Sequence, residues 1–167
     1  IKVPDGVLTS RLRHLNVGDE VLIGSKPTGT LVIDDLRDGR NLYLIGTGTG
    51  LAPFLSIIKD PETYARFDKV VLFHGVRFVN EVAYHKLLSV ELAEHEYLGE
   101  MVSEKLIYYP CVTREEYQNQ GRITDLMTSG KLYRDIGLPE IDPKLDRVML
   151  CGSPSMLKET CAILDDL

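Results

Sequence analysis

The chain has 167 residues, 44% of them hydrophobic and 26% charged, with a net charge of −6. That length bounds it to one good-sized domain, or one domain and a piece of another, and the composition excludes a disordered chain. The acidic balance argues against general nucleic-acid binding, no apolar run approaches membrane-spanning length, and no signal-peptide pattern is visible.

Taken in order, residues 1 to 38 read as β-structure with one short helix. A strand is expected at residues 1–3 and a turn at Pro4-Asp5-Gly6. A helix follows, capped by Thr9 or Ser10 and running through His14 and Leu15. Further strands are expected at residues 20–24 and 30–33, with residues 34–40 as a boundary. Beginning at Ile1 in mid-strand and ending at Leu167 inside a helical pattern, the chain reads as a fragment trimmed at both ends. From Asn41 onward, near-continuous apolar strands (41–45, 70–75, 106–112 and 147–152) alternate with helical patterns at 52–59, 79–95, 123–132 and from 155 onward. Such alternation implies a parallel sheet covered on both faces.

The stretch Gly46-Thr47-Gly48-Thr49-Gly50-Leu51-Ala52-Pro53 joins the first of these strands to a helix. Glycines there allow a tight turn and close approach of backbone N–H groups to a pyrophosphate. The spacing departs from the usual dinucleotide fingerprint, because the third glycine comes two residues after the second, and a plain Gly-rich bend reads equally well. The other strands end in His74-Gly75-Val76-Arg77, Cys111-Val112-Thr113-Arg114 and Cys151-Gly152-Ser153-Pro154-Ser155-Met156. Ligands of open parallel sheets bind beyond these C-terminal ends. The second strand carries Arg77 where an NAD site has a ribose-binding carboxylate. Arg77, Arg114 and Arg122 therefore read as a clamp for the 2′-phosphate of NADP. The competing reading pairs each arginine with a nearby acid, Glu81, Glu115 or Glu116. At the last strand end, Ser153 and Pro154 fit the N-cap and first turn of a helix. Gly152 there would let a flat ring approach with Cys151 beside it; Cys151 fits equally as a small buried hydrophobe. His74 reads as a satisfied core histidine. Cys111, Cys151 and Cys161 are odd in number and lack ligand spacing, and His14, His74, His85 and His95 are scattered. No metal site is read, and reduced thiols in the cytoplasm are expected.

In this order the motifs resemble those of the bacterial-type ferredoxin (flavodoxin)–NADP reductases. They are residues 46–53, His74-Gly-Val-Arg77, Val112-Thr-Arg114, Gly121-Arg-Ile123 and Cys151-Gly-Ser-Pro-Ser-Met156. Val3-Pro-Asp-Gly-Val-Leu-Thr-Ser10 is similar to that family's segment near the FAD pyrophosphate. The resemblance implies an enzyme moving electrons between NADPH and ferredoxin or flavodoxin through FAD. It implies an α/β fold: a parallel doubly wound NADP-binding domain (39–167) preceded by part of an antiparallel β-barrel FAD-binding domain (1–38). Carried onto this chain, Lys2, Val7, Leu8 and Thr9 contact FAD, and Thr47, Gly48, Thr49 and Gly50 face the NADP pyrophosphate, Thr49 also lying near FAD. Val76, Arg77, Thr113, Arg114 and Arg122 hold the 2′-phosphate end. Gly152, Ser153 and Pro154 flank the nicotinamide, with Cys151 as the catalytic residue next to the ring. Lys2, Arg11, Arg13 and Lys26 are candidates for docking an acidic carrier. A monomer is expected, without nucleic-acid binding or membrane insertion. The family's upstream flavin-binding strand and its C-terminal tail have no counterpart in these residues, so tight FAD binding by residues 1–167 alone is not expected. The reductase component of an oxygenase or a flavin reductase is the enzyme alternative, and an NADP-binding sensor module the non-enzymatic one.

Overall fold

The computed structural model describes residues 5–26 and 28–167; the strand expected at residues 1–3, and Lys2 with it, lie outside the described residues. The chain divides into two units, residues 1–30 and 31–167. In the first, the short helix α1, Thr9–Leu12, starts so that Leu8 holds the cap position, and the chain leaves the helix at Arg13. Neither Thr9 nor Ser10 is the cap, and the helix stops short of His14. Residues 20–24 and 30–32 form no strand, contrary to expectation, and a short 3-10 turn occupies Ile33–Asp35. A strand exists through its ladder, and none of the described strands pairs with these residues. Val7, Leu8, Val17, Leu22 and Ile23 are correspondingly exposed.

The second unit begins ahead of the expected boundary at 38/39. Ile33 is buried in the core, and the Arg66 guanidinium donates to the carbonyls of Ile33 and Leu36, both at 2.8 Å. Its sheet has four parallel strands: β1 Asn41–Thr47, β2 Lys69–Val76, β3 Leu106–Val112 and β4 Arg147–Cys151, in the order β3-β2-β1-β4. Alternate residues enter two separate cores. Leu42, Leu44, Val70 and Leu72 face one side, and Tyr43, Ile45, Val71 and Phe73 the other. Because both faces are covered, these strands read as continuous apolar runs.

Helices α2 Leu51–Ile57, α3 Pro61–Arg66 and α4 Gly99–Lys105 cover the first face through Leu51, Phe54, Tyr64 and Val102. Helices α5 Ile123–Thr128 and α6 Lys131–Ile136 cover the second through Ile123, Leu126, Met127, Leu132 and Tyr133, joined by Ile163 and Leu164 of α7, Pro154–Asp165. Each fully buried Leu or Phe in these clusters contributes about 1.5–3 kcal/mol relative to exposure. The single helix expected at 123–132 is two, because Gly130 takes a left-handed φ of 69° between them.

The helix expected over 79–95 is not continuous. A 3-10 turn at Val79–Glu81, Tyr84 at φ 58° and a π-helical turn at Leu87–Glu91 replace it. The π turn sets Leu88 and Leu92 into the first core, while Val79 and Val90 stay exposed.

Candidate nucleotide site

All four strands run parallel, so their C-terminal ends share one edge of the sheet, and the chain reverses its winding between β1 and β4. That crevice is where open α/β sheets bind ligands. Thr47 ends β1, Gly48 turns with φ 52°, and Gly48–Gly50 form one 3-10 turn into α2. A side chain on Gly48 would meet open space, whereas one on Gly50 would overlap the Cys151 carbonyl oxygen. The β1 loop thus lies backbone to backbone against the β4 end. The Ser153 N–H adds a hydrogen bond to Thr47 Oγ1 at 3.3 Å. The position a Gly152 side chain would take is filled by Thr47 Oγ1 and the Met156 methyl, so packing within the chain already accounts for that glycine.

Arg77 follows β2 and Arg114 follows β3 by two residues. The ladder continues past both strand ends, with the Thr113 N–H donating to Val76 O at 3.0 Å and the Arg114 N–H to Arg77 O at 2.9 Å. The two arginines therefore leave the sheet from adjacent, hydrogen-bonded backbones. Glu81 accepts from the N–H groups of Arg77 (2.9 Å) and Phe78 (3.3 Å), and Glu115 from Val79 N–H at 2.6 Å. These carboxylates brace the loop after β2, a role beyond the arginine pairing that the sequence suggests for them. Their signal lay in an acid four residues after Arg77 and another directly after Arg114.

The side chains of the three arginines are already engaged on the surface. Arg77 pairs with Glu81 at 3.9 Å, Arg122 pairs with Glu159 at 3.7 Å, and the Arg114 guanidinium lies 5.8 Å from the centre of the Phe78 ring. Exposed pairs of this kind are worth about 0–1 kcal/mol, and a phosphate accepting charge-assisted hydrogen bonds outcompetes them. Gly121, ahead of Arg122, is tied to β3 by its N–H to Val112 O at 3.0 Å, which places Arg122 on the same edge.

Ser153 caps α7, its Oγ accepting from Met156 N–H at 3.3 Å, with Pro154 in the first turn. Cys151 pairs in register with Gly46, is half-buried and packs against the first core. Val7 and Leu8 are exposed beside Thr9 in the first unit. Their apolar chemistry suits one face of a flat ring such as a flavin, and the glycine loop with three guanidinium groups suits a phosphorylated nucleotide. Among the described residues no group of three or more His, Cys, Asp and Glu could hold a metal, and no helix is long and apolar enough to cross a membrane.

His74, read from the sequence as a core residue, is buried and its Nε2 lies 3.2 Å from the carbonyl oxygen of Gly48. Burial holds its pKa below the usual imidazole value, against the opposing pull of that carbonyl.

The family model described as oxidoreductase NAD-binding domain matches residues 44–162. The ferredoxin–NADP reductase of Pseudomonas aeruginosa is 66% identical over 99% of this chain and 64% of its own length. The flavodoxin/ferredoxin–NADP reductase of Escherichia coli is 38% identical over 96% of this chain and 62% of its length. Among solved structures, a ferredoxin NADP+ reductase from Neisseria gonorrhoeae with bound FAD and NADP matches with a TM-score of 0.81 at 31% identity, over 98% of this chain and 63% of that one. The chain spans 64% of the length of its Pseudomonas relative and slightly less of the other two.

Proposed function

Because the chain belongs to the family of oxidoreductase NAD-binding domains, we propose that it binds NADPH within a flavoenzyme that passes electrons between NADPH and ferredoxin or flavodoxin through FAD. The observation that carries this reading is the pair of arginine-bearing strand ends, joined by the Arg114 N–H to Arg77 O bond, on the edge that also carries the glycine loop. In this reading residues 39–167 are the NADP-binding domain and residues 1–38 the end of an FAD-binding domain, of which Ile33–Leu36 pack with the NADP-binding unit.

Arg77, Arg114 and Arg122 hold the 2′-phosphate, with Val76 and Thr113 setting the backbone beneath it. Thr47, Gly48, Thr49 and Gly50 take the pyrophosphate. Gly152, Ser153 and Pro154 orient the nicotinamide, with Cys151 next to the ring. Lys2, Val7, Leu8 and Thr9 contact the flavin, which when bound supplies the step from two-electron to one-electron chemistry. What these residues contribute is binding and orientation, the part of such a reaction that a protein supplies. Arg11, Arg13 and Lys26 offer positive charge to an acidic carrier. The protein works as a monomer in the cytoplasm, a setting suggested by cysteines that are three in number and lack ligand spacing. Of these, the buried Cys111 has its thiol pushed up to about 12 and is inert.

The clamp is tested by titrating NADPH and NADH against Arg77→Ala and Arg114→Ala. Each change is expected to weaken NADPH by about tenfold or more and NADH by less than about twofold, since the lost interaction is with a charged phosphate. Equal losses for both cofactors would sink the assignment.

A further inference from the structure

We infer that His74 is a positioning residue for the glycine loop, holding the Gly48–Thr49 peptide with its carbonyl toward the core and its N–H toward the nucleotide. The inference rests on the NADPH reading above. His74 sits in β2 directly opposite Gly46 of β1, one strand away from the turn. Its Nε2 meets the Gly48 carbonyl oxygen at 3.2 Å, and that oxygen also accepts the Leu51 N–H at the start of α2. In a planar trans peptide the C=O and the following N–H point in opposite directions. Fixing the Gly48 carbonyl inward therefore turns the Thr49 N–H outward, at a residue that is itself exposed. Gly48 at φ 52° has the freedom to turn this peptide in more than one way, and the His74 bond adds to the Leu51 N–H in selecting one.

The tautomer follows from the acceptors. A carbonyl only accepts, so the ring must carry its proton on Nε2. Burial keeps the ring neutral at pH 7, which leaves Nδ1 bare. Tyr108 of β3 lies there, its hydroxyl 3.4 Å from Nδ1 and able to donate. That contact is long beside the usual O–H donor distance, so it selects the tautomer weakly, and the Gly48 bond does most of the orienting. The line Tyr108–His74–Gly48 crosses from β3 through β2 to the β1 loop.

The test compares NADPH with adenosine 2′-monophosphate, which carries the 2′-phosphate and lacks the pyrophosphate, on the 167-residue chain. Leucine at position 74 removes the donor, and glutamine retains an N–H. His74→Leu is expected to weaken NADPH about tenfold, the loss typical of one of the two hydrogen bonds to the Gly48 oxygen being removed, and to leave adenosine 2′-monophosphate within about twofold. His74→Gln is expected to recover most of the NADPH affinity. In the wild type, 15N spectra of the imidazole should report the Nε2–H tautomer at pH 7. Equal losses for both ligands mean general damage and overturn the positioning role, as does an unchanged NADPH affinity in His74→Leu. A wild-type chain that binds neither ligand would sink the NADPH reading and this one together. Should His74→Leu not fold, the wild-type imidazole spectrum decides: the Nε2–H tautomer at pH 7 supports the role, and the Nδ1–H tautomer, which cannot donate to Gly48 O, overturns it.

Discussion

Three glycines within five residues do three different jobs at the end of β1 and in the turn after it. Gly46 has the Phe54 ring 3.1 Å from where a side chain would begin, Gly48 supplies a left-handed φ in open space, and Gly50 lies against the Cys151 backbone. The costs of substitution should differ accordingly. Gly48→Ala meets no atom and carries only the left-handed penalty, about 1–2 kcal/mol. Gly50→Ala overlaps a carbonyl that moves only if β1 and β4 part. It should therefore cost about 3 kcal/mol, at the upper end for overpacking, and also weaken NADPH. Urea unfolding midpoints of the two variants check the order, and a Gly50→Ala chain as stable as Gly48→Ala would refute the close packing. The sequence exposed this loop through its composition but not this division of labour, since the neighbours that demand Gly50 lie a hundred residues away. His74 was legible as a satisfied core histidine but its partner was not, because nothing local reveals a backbone carbonyl in the turn after another strand.

At the level of elements, β1 and β4 are also fastened at their other ends. The buried Asp146 accepts from Arg40 Nε and Nη2 at 3.3 and 3.2 Å, from Asn41 Nδ2 at 3.0 Å and from the Asp142 N–H at 2.9 Å. Removing a hub of this kind strands the buried Asn41 amide and leaves the half-buried Arg40 guanidinium and Asp142 N–H without their acceptor. Asp146→Ala should cost about 3–5 kcal/mol while leaving NADPH affinity in the surviving folded fraction within about twofold, because it lies at the opposite edge of the sheet from the glycine loop. Thermal melts and titration below the melting point separate the two effects. The strands themselves were legible, since burial on both faces made each an unbroken apolar run. Helix α7 was legible from Ser153 and Pro154, and α3 carried the same kind of signal in Asp60-Pro61-Glu62, with Asp60 accepting from Glu62 N–H at 2.9 Å. Residues 79–95 misled because their apolar spacing fits a helix only in part: Val79 and Val90 are exposed, and Leu88 and Leu92 are the buried leucines of the stretch. The strands expected at 20–24 and 30–33 failed for want of partners, which propensity does not report.

Across the whole molecule, protection is uneven. None of the described side chains among residues 5–26 is buried, whereas β1 and β2 are almost wholly enclosed. Amide exchange should follow this contrast. Amides of residues 5–26 should exchange at least about a thousandfold faster than those of β1 and β2, the gap that about 4 kcal/mol of extra opening energy produces. Uniform protection along the chain would contradict it. The strand order carries a metric consequence as well. From the end of β3 to the end of β4 is three inter-strand steps of about 4.8 Å, or about 14 Å. A ligand gripped by Arg114 at one side and by the Ser153 turn at the other is stretched along the sheet edge like a strap between two buckles. On the NADPH reading proposed above, each half alone would hold weakly, and the affinity of the whole would be a chelate effect set by the length of the phosphate bridge between them.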